Sequence, residues 1–320
     1  MRRVLVTGAS GLIGKEVCEG LLAKGMYVVG VDKDPSKLEN ENFKFIRCHI
    51  TDKDAIQHAM ISESVDSLVH LACSVDNDYP SVLSTEEEKE SAEVDKFIYK
   101  LAVDLKLKDM LMLSTHQVYA SQKTREPIRE IAAEKPTNIY GKMKLDSEKA
   151  LQNALKKSST DIQGVVMRTC PIYTKDYLVN LHSKIYDEKE GCAFIYGYGD
   201  YGYSFTCLFN LVDFIAALLN LNSSSNYQGI YNICDSKPIQ AKDIVEYERS
   251  NHLLGTSGIV MQRNYGADSV KTSVFGLLGN KAAKTDYRYN DLSVACSNIS
   301  YDNTKAQRIS SFRWKLSNTK

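Results

Sequence analysis

Val4-Leu5-Val6-Thr7-Gly8-Ala9-Ser10-Gly11-Leu12-Ile13-Gly14 sets a β-branched run directly before three glycines at intervals of three. Val4 to Thr7 reads as a strand. Leu12 to Lys24 then carries apolar residues at helical spacing (Leu12, Ile13, Val17, Leu21, Leu22) and stops at Gly25, a residue suited to ending a helix. A glycine-rich turn between strand and helix is what a dinucleotide requires. One glycine makes the tight turn, one lets backbone approach the pyrophosphate, one lets helix pack on strand, and the helix N-terminus aims its N–H groups at phosphate. The pattern therefore predicts cofactor contacts from Gly8, Ser10, Gly11, Leu12, Ile13 and Gly14. Asp32, eighteen residues past Gly14, closes the next predicted strand, where a carboxylate accepts hydrogen bonds from ribose hydroxyls and repels a 2′-phosphate. NAD is favoured on that ground. Two alternatives stay open: Asp32 opens the turn Asp32-Lys33-Asp34-Pro35, and Lys33 keeps NADP in play.

Working outward, short β-branched runs alternate with helical patterns, the signature of a parallel sheet with crossover helices. Strands are predicted at Tyr27 to Val31, Phe43 to Ile46, Ser67 to Ala72, Met110 to Ser114 and Gln163 to Arg168. Helices are predicted at Asp54 to Ile61, capped by Asp52 or Thr51, at Glu86 to Asp109 with an inner stripe of Val94, Ile98, Leu101 and Leu105, and at Pro136 to Lys157. Past residue 170 the alternation breaks up. Only Asn210 to Leu221 and Asp243 to His252 look helical, tyrosines and glycines cluster from Tyr196 to Tyr203, and the tract from Gly255 to Asn298 has no assignable pattern.

Within this frame one pair of side chains carries chemistry. Tyr-x-x-x-Lys occurs three times, at Tyr119/Lys123, Tyr140/Lys144 and Tyr301/Lys305, so the pattern alone says little in a chain of 19 tyrosines. Tyr140/Lys144 alone sits early in a strongly periodic helix after the fifth predicted strand, and residues four apart share a face. On that face a Lys144 ammonium is expected to lower the Tyr140 phenol toward general acid/base use. Thr115 lies just past the end of the fifth strand, where open α/β sheets bind ligands. Its hydroxyl is placed to hold the substrate oxygen that Tyr140 protonates or deprotonates.

Composition narrows the class. The 320 residues contain 40 basic and 40 acidic side chains, so no charge surplus points to nucleic acid or an anionic membrane. No apolar run reaches the length of a membrane span, and the N-terminus turns glycine-rich too soon for a signal peptide; a cytoplasmic chain is expected. The eight cysteines include no Cys-x-x-Cys and the six histidines no His-x-x-x-His, so free thiols and no metal site are expected.

The chain resembles the extended short-chain dehydrogenase/reductase family, the nucleotide-sugar epimerases, dehydratases and reductases. The resemblance rests on Thr7-Gly8-x-x-Gly11-x-x-Gly14, Val69-His70-Leu71-Ala72, Leu113-Ser114-Thr115-His116-Gln117-Val118-Tyr119, and Pro136 to Lys144 with Glu148 after it. It is specific over residues 1 to 175 and runs loosely to about 250. It implies an α/β Rossmann doubly wound parallel sheet, with residues 1–170 binding NAD(P) and carrying the catalytic groups. Residues 171–320 would mainly form a smaller α/β substrate domain, some segments returning to the sheet. It also implies Thr115, Tyr140 and Lys144 as the catalytic set, cofactor contacts from Leu71, Ala72, Tyr140 and Lys144, and a homodimer through the helices Glu86 to Asp109 and Pro136 to Lys157.

Three departures from the family pattern bear on chemistry. His116 and Gln117 stand where dehydratases carry an acid pair, and glutamine cannot abstract a proton. Epimerisation at C4 or keto-sugar reduction is left, with His116 itself in the range for acid/base work. His49 replaces the aspartate that contacts adenine, which directs adenine to the backbone of Ile50. Thr206 stands where an arginine usually clamps the substrate diphosphate, and no arginine lies between Arg168 and Arg249. The substrate then lacks a diphosphate, or is held by the tyrosine cluster and by Arg263, Arg288 and Arg308. The expected reading is an NAD(P)-dependent oxidoreductase or epimerase of a nucleotide-activated sugar. The alternative is a non-catalytic NAD(P)-binding sensor or scaffold that keeps the fold.

Overall fold

A computed structural model describes residues 1–73, 85–120, 126–158, 161–221, 225–254, 258–264 and 299–319. The first half builds β1 (Arg3–Thr7), α1 (Leu12–Leu22), β2 (Tyr27–Asp32), β3 (Phe43–Arg47), α2 (Lys53–Ser62), β4 (Ser67–His70), α3 (Thr85–Asp104), β5 (Asp109–Thr115), α4 (Ile139–Lys157) and β6 (Gln163–Thr169). These six strands and a seventh, Gly229–Ile233, form one sheet in the order Gly229–Ile233, β6, β5, β4, β1, β2, β3. Every pairing is parallel. With β1 inside and the chain winding outward both ways, this is the doubly wound α/β arrangement. The strand from residue 229 joins the sheet beside β6, so the later half of the chain also contributes to it.

Period-two alternation explains how the sheet is covered. Val4 and Val6 of β1 pack with α1 and with α6 (Leu208–Leu219) on one face, while Leu5 packs with residues of α2, α3 and α4 on the other. Strands buried on both faces read as continuous apolar runs, which is why β1, β4 and β5 were legible. A separate core gathers Tyr173, Leu181, Phe205 and Ile244 around α5 (Val179–Ile185) and α7 (Ala241–Ser250). Beside it lies a three-stranded sheet ordered Val260–Arg263, Cys192–Tyr196, Tyr186–Asp187.

Three element boundaries differ from expectation, each for a local reason. The helix expected to run to Asp109 ends at Asp104. Lys106 turns the chain at φ 55°, Leu105 is left at the surface, and Asp109 starts β5 as a buried carboxylate that accepts from Arg2, from Ser67 Oγ at 2.8 Å and from the Tyr227 hydroxyl. An acidic residue that looks like helix surface is thus the anchor of a central strand. The helix expected from Pro136 starts at Ile139, because Asn138 Oδ1 accepts from Gly141 N at 2.7 Å and caps it. The strand expected to reach Ala72 stops at His70, since the N–H groups of Leu71 and Ala72 turn to Thr7 Oγ1 at 3.1 and 3.2 Å. The second helix is capped by Asp52, whose side chain accepts from Ala55 N. Most of the unassigned tract, at 265–298, lies outside the described residues.

The tightest point of the fold is the turn after β1. A Cβ on Gly14 would stand 1.9 Å from Gly8 O and 2.7 Å from Gly8 C. Gly14→Ala should therefore cost about 2 kcal/mol or more as overpacking. Gly25→Ala, where φ is +73° but the space is open, should cost about 1 kcal/mol from backbone strain alone. Denaturant unfolding of both variants checks the ranking, and equal losses would contradict it.

Candidate active site

The glycine turn is held from behind. Gly8 N and Ala9 N both donate to Val31 O, at 2.9 and 3.2 Å, and Gly8 adopts φ +72°, a conformation that favours glycine. Gly11 precedes α1 and no side chain caps the helix, so the N–H groups of its first turn face the loop mouth at Leu12 and Ile13. Of the two roles read for Asp32 the structure shows the turn, with Oδ1 accepting from Asp34 N, while Oδ2 accepts from Ser10 N, each at 3.0 Å. Ser10 Oγ donates to Asp34 O at 2.8 Å, which ties the glycine turn to the end of β2. Ile50 and Ala72 line a neighbouring cleft with Thr51, Cys73, Val94 and Asp95. An uncapped helix N-terminus, glycines cleared of side chains and a carboxylate at the next strand end fit a dinucleotide. Arg47, whose Nε donates to Lys33 O at 2.9 Å, adds a second cation beside the Asp32 turn.

Thr115 ends β5, buried, with its Oγ1 accepting from Gln117 N at 3.3 Å to start the turn His116–Val118. Gly141 explains how α4 reaches that turn. A Cβ there would lie 2.6 Å from Gln117 O, so only glycine allows the helix start to press against the loop that follows Thr115. Asn138 Nδ2 donates to Gln117 Oε1 at 2.6 Å across the same contact. Tyr140 occupies this first turn, half-buried, and Lys144 lies one turn later at 7% exposure, its Nζ 5.9 Å from the Tyr140 ring centroid. Cys73 belongs to the same group of side chains and acts electrostatically on both Lys144 and Tyr140. Sequence reading passed over Cys73, although it directly extends the motif His70-Leu71-Ala72.

The electrostatics correct one expectation. Burial raises the Tyr140 phenol above its ordinary value; Lys144 pulls it down and Cys73 pushes it up, leaving the net shift upward. The attraction to Lys144 exists, but desolvation exceeds it. For Lys144, burial opposes the charge, while Cys73, Tyr140 and Asp95 outweigh it and hold the ammonium above the ordinary lysine range.

Other readings are also revised. His116 is pushed down to about 4, chiefly by burial and further by the Lys184 charge, against the Thr169 carbonyl at 3.2 Å. It is neutral at physiological pH and poorly suited to proton transfer. Thr206 is fully buried, its hydroxyl donating to Ile233 O and accepting from Cys170 N, so it offers nothing to a diphosphate. Arg263 is committed to Asp187 and to the face of Phe194, 4.1 Å away, Arg308 is exposed on the tail, and Arg288 lies outside the described residues. Of the tyrosine cluster, Tyr196, Tyr201 and Tyr203 pass ring contacts to Phe205 and on to Tyr173, while Tyr198 projects at 83% exposure. The cluster is mainly packing. The competing pairs separate too: Tyr119 is buried with its hydroxyl on Asn232, Lys305 donates to Ile230 O, and Lys123 is outside the described residues.

Glu148, one turn beyond Lys144, is fixed by the fully buried Arg168 through both carboxylate oxygens, at 3.0 and 2.6 Å. Arg168 also pairs with Glu134 and lies 4.7 Å from the Tyr119 ring. This bidentate pair locks α4 onto β6.

The model of the NAD dependent epimerase/dehydratase family matches residues 4–234. A curated relative, methionine adenosyltransferase 2 subunit beta of Pongo abelii, is 31% identical over 166 residues, 48% of this chain and 44% of that protein. UDP-glucuronate 4-epimerase of Thermodesulfobacterium geofontis is 28% identical over 164 residues, 45% of this chain and 48% of that enzyme. The matched stretch thus spans about half the length of these relatives. Among solved structures, UDP-glucuronic acid 4-epimerase from Bacillus cereus in complex with NAD superposes with a TM-score of 0.71 at 20% identity, covering 99% of this chain and 95% of that one.

The shift of His116 has a consequence for stability. Its folded value lies below its unfolded one, so between pH 6.5 and about 4 the unfolded chain binds the extra proton. Its contribution to stability is complete above pH 6.5 and is lost as the pH falls toward 4. His116→Gln should flatten the acid side of a plot of unfolding free energy against pH in that window; parallel curves for variant and wild type would refute the assignment.

Proposed function

The chain belongs to the NAD-dependent epimerase/dehydratase family, and from that membership we propose an NAD-dependent enzyme that epimerises a nucleotide-activated sugar at C4 or reduces a keto-sugar. The observation that carries the reading is the grouping of Tyr140 and Lys144 on the first turns of α4, pressed by Gly141 against the loop after Thr115. The relatives named UDP-glucuronate 4-epimerase support the substrate class.

Gly8, Ser10, Gly11, Leu12, Ile13 and Gly14 would hold the pyrophosphate, Asp32 the adenosine ribose, Ile50, Leu71 and Ala72 the base side, and Tyr140 and Lys144 the nicotinamide ribose. Bound there, NAD supplies the hydride chemistry. Thr115 would orient the sugar oxygen. Tyr140, a phenol protonated at neutral pH and raised further by burial, would give that oxygen its proton, and Lys144 would stabilise the phenolate left behind. Gln117 in place of an acid makes dehydration the least favoured outcome. Arg47 and Lys33 make NADP the cofactor to test against NAD. Residues 1–170 would form the cofactor domain and 171–320 mainly the substrate domain, in a cytoplasmic homodimer joined through α3 and α4.

A second reading, a non-catalytic dinucleotide-binding protein, is favoured by the buried Thr206 in place of a phosphate-binding arginine and by a relative whose name is that of a subunit. A screen of nucleotide sugars and keto-sugars with NADH and NADPH separates the two. Under the first reading turnover falls by about two to four orders of magnitude in Tyr140→Phe, with cofactor binding retained. Equal turnover in both proteins sinks the catalytic assignment, and cofactor binding with no turnover of any substrate gives the second reading.

A further inference from the structure

Glu148 does more than neutralise Arg168. Ser114 Oγ donates to Glu148 Oε1, the oxygen that also accepts from Arg168 Nε at 3.0 Å, while Oε2 accepts from Arg168 Nη2 at 2.6 Å. Ser114 of β5 and Arg168 of β6 stand opposite each other in the parallel ladder, so two neighbouring strands converge on one carboxylate. At 1% exposure each, none of the three can exchange this set of bonds for bonds to water. Arg168 has a second carboxylate in Glu134. Charge balance at the guanidinium is thus served twice, and it gives no reason for Ser114 to belong to the set.

The reason lies in what flanks Ser114. It immediately precedes Thr115, while Tyr140, Lys144 and Glu148 follow one another four apart along α4. Residues at that interval share one side of a helix. Beyond Thr115, the start of the same helix meets Gln117 twice: Asn138 Nδ2 donates to Gln117 Oε1 at 2.6 Å, and Gly141 leaves no room for a Cβ against Gln117 O. Thr115 is therefore held between two contacts with α4, at the residue before it and at the second residue after it. Tyr140 and Lys144 lie along the stretch of chain between those contacts, residues 138 to 148. A charge-assisted bond such as that of Ser114 to Glu148 is roughly twice as strong as a neutral one, which suits it to fixing a distance.

We propose that Glu148 is a positioning residue: by gathering Ser114 of β5 and Arg168 of β6, it sets the place of Tyr140 and Lys144 relative to Thr115. The consequence for catalysis rests on the functional reading above, whereas the two-point clamp around Thr115 does not.

Amide hydrogen exchange followed by nuclear magnetic resonance in the full chain reads the clamp without any substrate. Ser114→Ala removes the bond to Glu148 and leaves the Arg168 pair in place. Thr169→Val is the control: Thr169 Oγ1 donates to Ser114 O at 3.1 Å, so this change also takes one hydrogen bond from Ser114 but none from α4. The reporters are Gln117 N–H, held on Thr115 Oγ1 at 3.3 Å, and Gly141 N–H, held on Asn138 Oδ1 at 2.7 Å. In Ser114→Ala both should exchange about tenfold faster relative to the amides of β1, the equivalent of one hydrogen bond. In Thr169→Val they should keep the wild-type ratio. Unmoved reporters in Ser114→Ala, or the same change in both variants, overturn the proposal. Should Ser114→Ala fail to fold, Glu148→Asp takes its place: it keeps the charge opposite Arg168, withdraws it by one methylene, and must move the same two amides for the proposal to stand. Turnover and NAD binding run alongside. In Ser114→Ala, turnover of the nucleotide sugar found by the screen should fall about tenfold from misplacement, with NAD affinity unchanged. Undiminished turnover overturns the positioning role, whereas a wild type that turns over none of the sugars overturns the functional reading and leaves the exchange rates to judge the clamp.

Discussion

The close approach of α1 to the turn after β1 is the constraint on which the rest of the molecule depends. Backbone meets backbone where Gly14 faces Gly8, with no room for a side chain. That contact fixes the direction of α1 and leaves its uncapped N-terminus facing the mouth of the loop. The same turn is pinned by Val31 from β2 and, through Thr7, by the residues following β4. Three strands therefore converge on one loop. An anion-binding helix end is useful only when held in this way, because its N–H groups must be oriented before the ligand arrives.

A second layer of organisation is carried by buried charge. Arg168 joins Glu148 of α4 to β6, and Asp95 of α3 is bonded to His70 at the end of β4. Glu148 is buried on α4 and Asp95 on α3, where a missing partner would leave a bare charge in a low-dielectric interior. Such pairs add little net stability compared with apolar packing of the same volume. Their effect here is geometric: Arg168 registers α4 against β6, and Asp95 registers α3 against the end of β4 through His70. Gly141 sets the third restraint, the contact with the loop after Thr115.

The region beyond β6 is organised by aromatic packing. Tyr173, Tyr203 and Phe205 are buried and share ring contacts, edge-to-face between Tyr173 and Phe205 and tilted between Tyr203 and Phe205, and among the described residues the strand pairs there are two residues long except for Gly229–Ile233 against β6 and Cys192–Tyr196 against Val260–Arg263. Edge-to-face aromatic pairs hold irregular backbone without long periodic segments. That is why this half was hard to read: the tyrosines and glycines from Tyr196 to Tyr203 carry no sustained apolar period of a strand or a helix, and partners such as Phe205 and Tyr173 come from other segments of the chain.

Taken residue by residue, the sequence by itself determined the doubly wound sheet and the glycine turn, and it set Tyr140 and Lys144 apart from the two other Tyr-x-x-x-Lys pairs by placing them on a periodic helix. Each of these is a local pattern, a period or a spacing readable within about twenty residues. It did not reveal that Asp109 anchors a strand, that Cys73 joins the Lys144 group, that Asp95 pairs with His70, or that burial outweighs Lys144 in setting the Tyr140 phenol. Those facts were decided by the tertiary structure alone. Desolvation and charge pairing depend on which side chains meet across the sheet and between α3 and α4, and such contacts, at separations of 25 to more than 100 residues, leave no periodic trace in the chain.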